Sequence, residues 1–194
     1  MKISYDYEIF WKQVFGSIPN RYFYNLINHF SKNNDLKVKV FSNFYLNKKL
    51  DYLTKDIIKG SRLKYKLPFT GKILELLNKK ISNRRMLTFK SNIIHKTYYS
   101  NIFKKENNTK IVLTVYDLFH ENFSLKKNYK PKEKSINLAD HILCPSINTK
   151  NDLIKIYKVD EKKISVTYFG TENLKKYVLK ENKVTIKQDP YILY

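Results

Sequence analysis

The six residues from Tyr116 to Glu121 bring together three side chains that could do proton chemistry. They follow the apolar, β-branched run Ile111–Val115, which is typical of a strand covered on both faces of a parallel sheet. Tyr116 is a phenol, Asp117 an acid and His120 an imidazole, so the segment could orient a hydroxyl group and move a proton. An equally supported interpretation is that Asp117 caps a turn and His120 is an ordinary hydrogen-bonded side chain.

Small and aromatic residues follow two other predicted strands. The Gly16-Ser17 turn precedes a helix, and backbone N–H groups at such a turn could bind phosphate or sugar oxygens. Taken alone, that pair is better interpreted as a plain turn, and Arg21 follows it at the helix start. Tyr98 and Tyr99 could stack on a sugar ring, although ordinary packing is the simpler account in a chain with 16 tyrosines.

Three further candidates come directly after predicted strands. His95 follows the short strand core Ile93-Ile94, Ser146 follows the strand that ends at Cys144, and Gly170 follows the last strand. Ser146 also has the residue type of a helix N-cap. Of the other histidines, His29 is predicted to lie on a helix surface and His141 at a strand start. Cys144, in an apolar run, is expected to be a buried structural thiol.

The hydrophobic pattern alternates strands with helices along most of the chain. Strands are predicted at 2–5, 38–40, 93–94, 111–115, 141–144 and 164–168, and helices at 21–31, 70–83, 131–140 and 146–157. This order predicts an α/β fold with a doubly wound, mostly parallel, Rossmann-like sheet. Ligands bind such a sheet at the carboxyl ends of its strands, where the candidate residues above are expected to lie. The helix at 70–83 is expected to bury Ile73, Leu74, Leu77 and Ile81.

The composition is that of a folded, strongly basic protein. The chain has 194 residues, 42% of them hydrophobic, and a formal net charge of +21. The positive field favours anionic partners, and nucleic acid, anionic lipids and diphosphate-bearing substrates all satisfy that requirement. The early acidic residue Asp6 and the lack of a run of about 18 apolar residues predict a cytoplasmic protein.

The last part of the chain differs in composition from the rest. Residues 1–170 form the predicted domain, 171–189 are polar and predict a linker, and 190–194 begin a β-like run. We expect that run to be the first strand of a second domain. An edge strand added to the same sheet is the alternative interpretation.

Four segments, read in order, resemble the N-terminal domain of family 4 glycosyltransferases, which have the two-domain GT-B fold. The nearest branch is the mannosyltransferase-like enzymes of polysaccharide assembly. The segments are Gln13–Phe23, Ile94–Tyr99, Leu113–Glu121 and the stretch from Ala139 to Gly170 that includes Asp140-His141 and Thr149-Lys150-Asn151-Asp152-Leu153. Two positions depart from the family pattern: Ser17 replaces a loop glycine, and Tyr116 replaces the histidine of a His-Asp pair.

The resemblance implies the acceptor-binding half of a retaining hexosyltransferase that takes a nucleotide-sugar donor and a lipid-linked or glycan acceptor. It implies no metal or other cofactor. Tyr116, Asp117 and His120 would contact the transferred or receiving sugar, and Gly16-Ser17 would lie near the donor phosphates. The remaining candidates would form the substrate cleft, and they are Arg21, His95, Tyr98, Tyr99, Ser146 and Gly170.

Other functions remain open at this point. The chain could be a stand-alone module that binds an acceptor or a partner protein, or an inactive fragment. Its charge could hold it against the anionic inner face of a membrane. Nucleic-acid binding is not expected, because the lysines are scattered and no nucleic-acid-binding motif is present.

Overall fold

Parallel strands flanked by helices organise this chain. The computed structural model describes residues 1–12, 17–64, 70–99, 108–122 and 130–170. In chain order its strands are β1 (Lys2–Tyr5), β2 (Lys37–Val40), β3 (Phe44–Tyr45), β4 (Ser61–Arg62), β5 (Ile93–Lys96), β6 (Lys110–Thr114), β7 (His141–Cys144) and β8 (Ile164–Val166). Its helices are α1 (Glu8–Lys12), α2 (Ile18–Phe30), α3 (Gly71–Phe89), α4 (Phe119–Asn122), α5 (Lys130–Leu138) and α6 (Ile147–Tyr157), with 3₁₀ helices at Lys48–Tyr52 and Glu161–Lys163.

The main sheet has six strands in the order β2-β1-β5-β6-β7-β8, and β3 and β4 form a separate parallel pair. All neighbours in the main sheet are parallel. The chain passes from β1 to β2 and then returns to the other side of β1 with β5, where Tyr5 pairs with His95. This reversal creates a topological switch point between β1 and β5, the place where open α/β sheets bind ligands.

Helices cover both faces of the sheet. His95 of β5 contacts Phe23 of α2, with ring centroids 5.1 Å apart. The adjacent Ile94 instead packs against Met86 of α3. Consecutive strand residues point to opposite faces, so α2 and α3 lie on opposite sides of the sheet. The predicted doubly wound, parallel α/β fold is confirmed, and Cys144 is fully buried in β7 as expected.

The predicted buried face of α3 is only partly correct: Leu74 packs against a buried cluster and Ile81 is half-buried, but the other two predicted residues are exposed. Ile73 is 64% exposed and Leu77 is 41% exposed, whereas Asn78, Ser82 and Met86 are buried. The helix also continues to Phe89, beyond its predicted end.

Hydrogen bonding explains which face of α3 turns inward. Asn78 Nδ2 donates to Phe44 O (2.7 Å), and Phe44 N donates to Asn78 Oδ1 (3.0 Å). Asn43 N donates to Ser82 Oγ (3.2 Å). Backbone groups buried beneath a helix need partners, so two polar residues occupy positions that periodicity assigns to apolar ones.

Two predicted boundaries also differ from the structure. Helix α2 begins at Ile18, ahead of the predicted start at Arg21, because Pro19 fits the first turn, where no N–H is needed. Strand β8 ends at Val166, and Tyr168 beyond it is exposed rather than part of the strand. The predicted linker and following strand, 171–194, lie outside the described residues. Within the described ranges, no helix combines the length and apolarity needed to cross a bilayer.

Candidate functional site

Four aromatic side chains gather where the loops after β6 and β8 meet α2. Tyr116 lies edge-on to Tyr22 and Phe23, with centroid distances of 6.2 and 6.4 Å. It stacks on Phe169 at 6.1 Å, with an interplanar angle of 23°. Tyr22 and Phe169 are themselves 5.8 Å apart. We call these residues, Tyr22, Phe23, Tyr116 and Phe169, the aromatic rim.

The Tyr116 hydroxyl has an unusual environment in the aromatic rim. Its oxygen is buried and has no hydrogen-bond partner among the described residues. Burial raises the pKa of the Tyr116 phenol above its ordinary value, so the group is neutral near pH 7. An unpaired buried hydroxyl costs about 1–3 kcal/mol, and a ligand that accepted a hydrogen bond from it would remove that cost. Tyr116 is therefore suited to donate a hydrogen bond and unsuited to accept a proton.

Asp117 occupies the position expected of a turn cap. Its Oδ1 accepts a hydrogen bond from Phe119 N (3.2 Å), and its backbone carbonyl accepts one from Lys132 Nζ (2.8 Å). The residue is exposed. His120 lies in α4, but its side chain is outside the described part of the structure. The capping interpretation of Asp117 is confirmed, and it leaves the carboxylate accessible to a ligand.

The Glu121 carboxylate connects neighbouring helices. Its side chain is nearly buried and forms an ion pair with Lys132 (3.0 Å). Its Oε1 also accepts a hydrogen bond from Tyr157 Oη (2.9 Å). The carboxylate thereby joins α4 to α5 and α6, and this fixes the loop that carries Tyr116 and Asp117.

His95 lies within a strand and not after one, because β5 continues to Lys96. This corrects the predicted strand end. The imidazole is 4% exposed, and its Nε2 pairs with Thr114 Oγ1 at 2.8 Å. Its ring lies 5.4 Å from that of Tyr5, and Phe23 packs on it from α2. Burial lowers the pKa of His95 to about 3, so the ring is neutral and its contacts are with the core below the aromatic rim.

Tyr98 and Tyr99 follow β5 and pack together with their centroids 5.0 Å apart. The Lys12 ammonium lies over the Tyr98 ring at 5.2 Å, and the Lys132 ammonium lies over the Tyr99 ring at 5.1 Å. Both rings also pack against core clusters. These contacts favour the packing interpretation of the pair, since each ring already has a cation over it.

The Gly16-Ser17 turn is described only in part, because Gly16 lies outside the described residues. Ser17 is the extended N-cap residue of α2, and its side chain makes no cap hydrogen bond. Its carbonyl oxygen accepts hydrogen bonds from Asn20 N and Arg21 N, both at 3.1 Å. Arg21 is exposed in the first turn of the same helix, which also carries Tyr22 and Phe23 into the aromatic rim.

Ser146 and Gly170 are the last two predicted site residues along the chain, and they follow β7 and β8. Ser146 Oγ accepts a hydrogen bond from Thr149 N (3.1 Å), so its predicted role as the N-cap of α6 is confirmed. Gly170 is exposed, and a Cβ placed there would have no atom within 4 Å. It directly follows Phe169, and so the chain passes the Tyr116 ring as it leaves β8.

A group of buried polar residues at the switch point was missed by the sequence analysis. We call Asp6, Glu8, Lys96 and Thr97 the switch-point cluster; each is at most 1% exposed. Asp6 Oδ1 accepts hydrogen bonds from Thr97 Oγ1, from Glu8 N (3.2 Å) and from Thr97 N (3.3 Å). Its Oδ2 has no partner among the described residues.

The charges of the switch-point cluster are mutually dependent. Burial, with the nearby Glu8 carboxylate, raises the pKa of Asp6 to about 7, while Thr97 and Lys96 oppose that rise. Burial lowers the pKa of Lys96, and the two carboxylates oppose that shift. Lys96 Nζ donates to Ser135 Oγ (2.7 Å). The sequence signal for this cluster was available: a polar run follows each of two strands that prove to be neighbours.

The predicted residues are therefore brought together only in part. Tyr116, Tyr99 and the segment ending at Gly170 lie along the strand ends from β5 to β8, with His95 buried beneath them. Ser146 is used in capping α6.

The sequence and the fold of this chain are each similar to those of known proteins. The sequence model described as "Glycosyltransferase Family 4" matches residues 19–172. No match is found among curated proteins. Two solved structures with similar folds are a UDP-N-acetylglucosamine 2-epimerase (14% identity, TM-score 0.53, covering 86% of this chain and 48% of that chain) and Anabaena Alr3699/HepE in complex with UDP and glucose (12% identity, TM-score 0.55, covering 89% and 45%).

This chain spans less than half the length of either solved structure, and the low identities mean that the likeness shows the fold alone. The family match concerns the sequence itself. It runs from the first turn of α2 past β8 and includes every residue of the aromatic rim. The chain belongs to glycosyltransferase family 4.

Proposed function

We propose that this chain is the acceptor-side half of a retaining hexosyltransferase. The complete enzyme would transfer a hexose, mannose in our proposal, from a nucleotide sugar to a lipid-linked or polysaccharide acceptor. The observation that carries the proposal is the buried Tyr116 hydroxyl, which has no partner among the described residues and lies in an aromatic rim at the carboxyl ends of parallel strands. Aromatic faces suit the apolar faces of a sugar ring, and a neutral phenol suits its hydroxyl groups.

In this proposal the described residues have distinct roles. Tyr116 donates a hydrogen bond to a sugar oxygen, and the exposed Asp117 carboxylate accepts one from a sugar hydroxyl. His120 follows one helical turn later and serves the same sugar. Ser17 and Arg21 at the N-terminus of α2 bind the donor phosphates, and Gly16, which precedes them in the sequence, serves the same group.

The acceptor side of the cleft is formed by a second group of residues. Tyr98 and Tyr99 form its wall with their outer surfaces, and His95 supports that wall from below through its contact with Thr114. Ser146 and Gly170 border it at the ends of β7 and β8. No metal is needed in this arrangement, because hydrogen-bond donors and the helix N-terminus supply the electrostatic stabilisation.

A chimera tests the proposal. Residues 1–189 are joined to the donor-binding domain of a family 4 enzyme, and sugar transfer is measured for the chimera and for its Asp117→Asn and His120→Ala variants. We expect turnover in the parent chimera and a loss of about 10²-fold or more in a variant that removes a proton-transfer group. Unchanged turnover in both variants would remove these residues from the site.

We also propose that the protein works at the cytoplasmic face of a membrane. Its formal net charge of +21 would draw it to anionic lipid, which would bring it close to a lipid-linked acceptor. Cell fractionation at low and high salt tests this, because electrostatic attachment is released by salt.

A further inference from the structure

A large groove lies at the opposite end of the sheet from β8. It has a volume of about 920 Å³ and lies between α3, the edge strand β2 and the loop at 58–61. Strands β1 and β5 separate β2 from β6, which leads to the aromatic rim, so the groove is a separate site. We call it the basic groove after its five cationic lining residues, which are Lys39, Lys59, Lys80, Arg84 and Arg85.

Among the residues that the structure describes, none forms an ion pair with the cations of the basic groove. None of the described residues that line it is acidic. Two of the cations contact neutral carbonyl oxygens: Lys39 Nζ donates to Asp56 O, and Arg85 Nη1 donates to Lys59 O (3.2 Å). In the described part of the chain, ion pairs form elsewhere and include none of the five.

The spacing on α3 increases the repulsion. Lys80 and Arg84 are four residues apart, so they lie on one face of the helix. Like charges at this spacing destabilise a helix. An anion bound between α3 and the loop at 58–61 would reverse that repulsion.

The walls of the basic groove are held by backbone contacts. Lys59 N donates to Val40 O, and Ser61 N donates to Asn43 O, both at 2.9 Å. A Cβ at Gly60 would lie 1.5 Å from Ser42 O, so only glycine lets the loop approach the end of β2 this closely. The Arg85 contact with Lys59 O ties the same loop to α3. The cations are therefore presented by a fixed frame.

The chemistry of the lining identifies the ligand class. The planar guanidinium of Arg84 can form two parallel hydrogen bonds to phosphate oxygens, and the lysine ammonium groups add point charges. Phe41, Ile58 and Phe89 give the groove an apolar floor. We propose that the basic groove binds a phosphate group, which either a soluble phosphate compound or a lipid headgroup can provide.

Titration of the 194-residue chain with inorganic pyrophosphate, followed by calorimetry at low ionic strength, tests the proposal. We expect saturable binding that weakens about tenfold or more in the Lys80→Gln/Arg84→Gln variant, which loses two charge-assisted contacts. Arg84→Lys keeps the charge without the planar fork, so it should show an intermediate loss. The same proteins are then mixed with vesicles of phosphatidylglycerol and of phosphatidylcholine.

The control is Lys134→Gln/Lys155→Gln, which removes the same charge from exposed positions on α5 and α6. Binding of pyrophosphate that weakens in the groove variant but is kept in the control assigns the groove to soluble phosphates. Binding of phosphatidylglycerol vesicles alone, lost in the groove variant but kept in the control, assigns it to a lipid headgroup. Either result supports a phosphate site. Absence of saturable binding to both probes, or equal weakening in the control, would overturn it. Thermal denaturation of each variant confirms that it is folded.

Discussion

The switch-point cluster and the aromatic rim lie along the same edge of the sheet, at the ends of its strands, but they differ in how far their polar groups are hydrogen-bonded within the protein. In the cluster, Asp6 is hydrogen-bonded to Thr97, and the buried Lys96 ammonium acts electrostatically on Asp6. In the rim, aromatic rings pack with centroids 5.2–6.4 Å apart and leave the Tyr116 hydroxyl without a hydrogen-bond partner among the described residues. The cluster uses most of its hydrogen-bonding capacity internally, although Asp6 Oδ2 has no partner among the described residues, whereas the rim leaves its Tyr116 hydroxyl for a ligand.

This difference distinguishes polar groups that stabilise the fold from polar groups that are available to a ligand. Buried groups that satisfy one another fix the geometry of β1 and β5, and they lose that function if one member is removed. A group that is left unpaired in a folded protein carries a cost that binding can recover. We therefore propose that the cluster positions β1 and β5 and that the rim contacts the substrate.

The largest expected effect is at the cluster. Asp6→Ala removes the acceptor of three hydrogen bonds and leaves Lys96 buried without the carboxylate that has the larger electrostatic effect on it. We expect the free energy of unfolding to fall by about 3–5 kcal/mol. Chemical denaturation measures this. The matched variant Asp6→Asn keeps an acceptor at the same place and should lose clearly less; equal losses would show that the hydrogen bonds contribute nothing.

The pH dependence of stability gives the next effect. The pKa of His95 is about 3 in the folded chain and about 6.5 when unfolded, so the native state binds fewer protons between these values. Stability from His95 is present above pH 6.5 and is lost as the pH falls toward 3, at about 1.4 kcal/mol per pH unit.

His95→Gln isolates that effect. The glutamine does not titrate, so the difference in unfolding free energy between wild type and variant should change with pH across this window. Asp6 acts in the opposite direction, since its raised pKa means that stability is lost as the pH rises toward 7. Because Asp6 is common to both proteins, it cancels in the difference. A difference that is constant from pH 4 to 6.5 would mean that His95 is not buried as a neutral ring.

A smaller effect is expected at the turn that Asp117 caps ahead of α4. Asp117→Ala removes the acceptor for Phe119 N and should destabilise the chain by about 1 kcal/mol. Asp117→Asn keeps the cap, so thermal unfolding should be nearly unchanged. If the asparagine variant unfolds as early as the alanine variant, the carboxylate charge matters for stability and the capping account fails.

The sequence predicted the fold well but the site only in part. Alternating and β-branched runs locate β1, β6 and β7, because strand periodicity is a local property. The inward face of α3 was mispredicted in part because Asn78 is buried. Its side chain pairs with backbone groups of Phe44, and the sequence of α3 alone does not show that these groups need partners. The switch-point cluster was missed for a related reason: Asp6 and Thr97 are 91 residues apart, and only the strand order makes them neighbours.

The variant Tyr116→Phe should show the smallest change in stability and the most informative loss of activity. Tyr116→Phe removes an unpaired hydroxyl and keeps the ring packing, so unfolding free energy should stay the same or increase slightly. In the chimera with a donor domain, sugar transfer should nevertheless decrease, with kcat/KM about tenfold lower or more, because a hydrogen bond to the sugar is lost. Asp6→Asn in the same chimera should retain kcat/KM at a temperature where it is folded. Full activity of Tyr116→Phe would contradict the assignment of substrate contact to the aromatic rim.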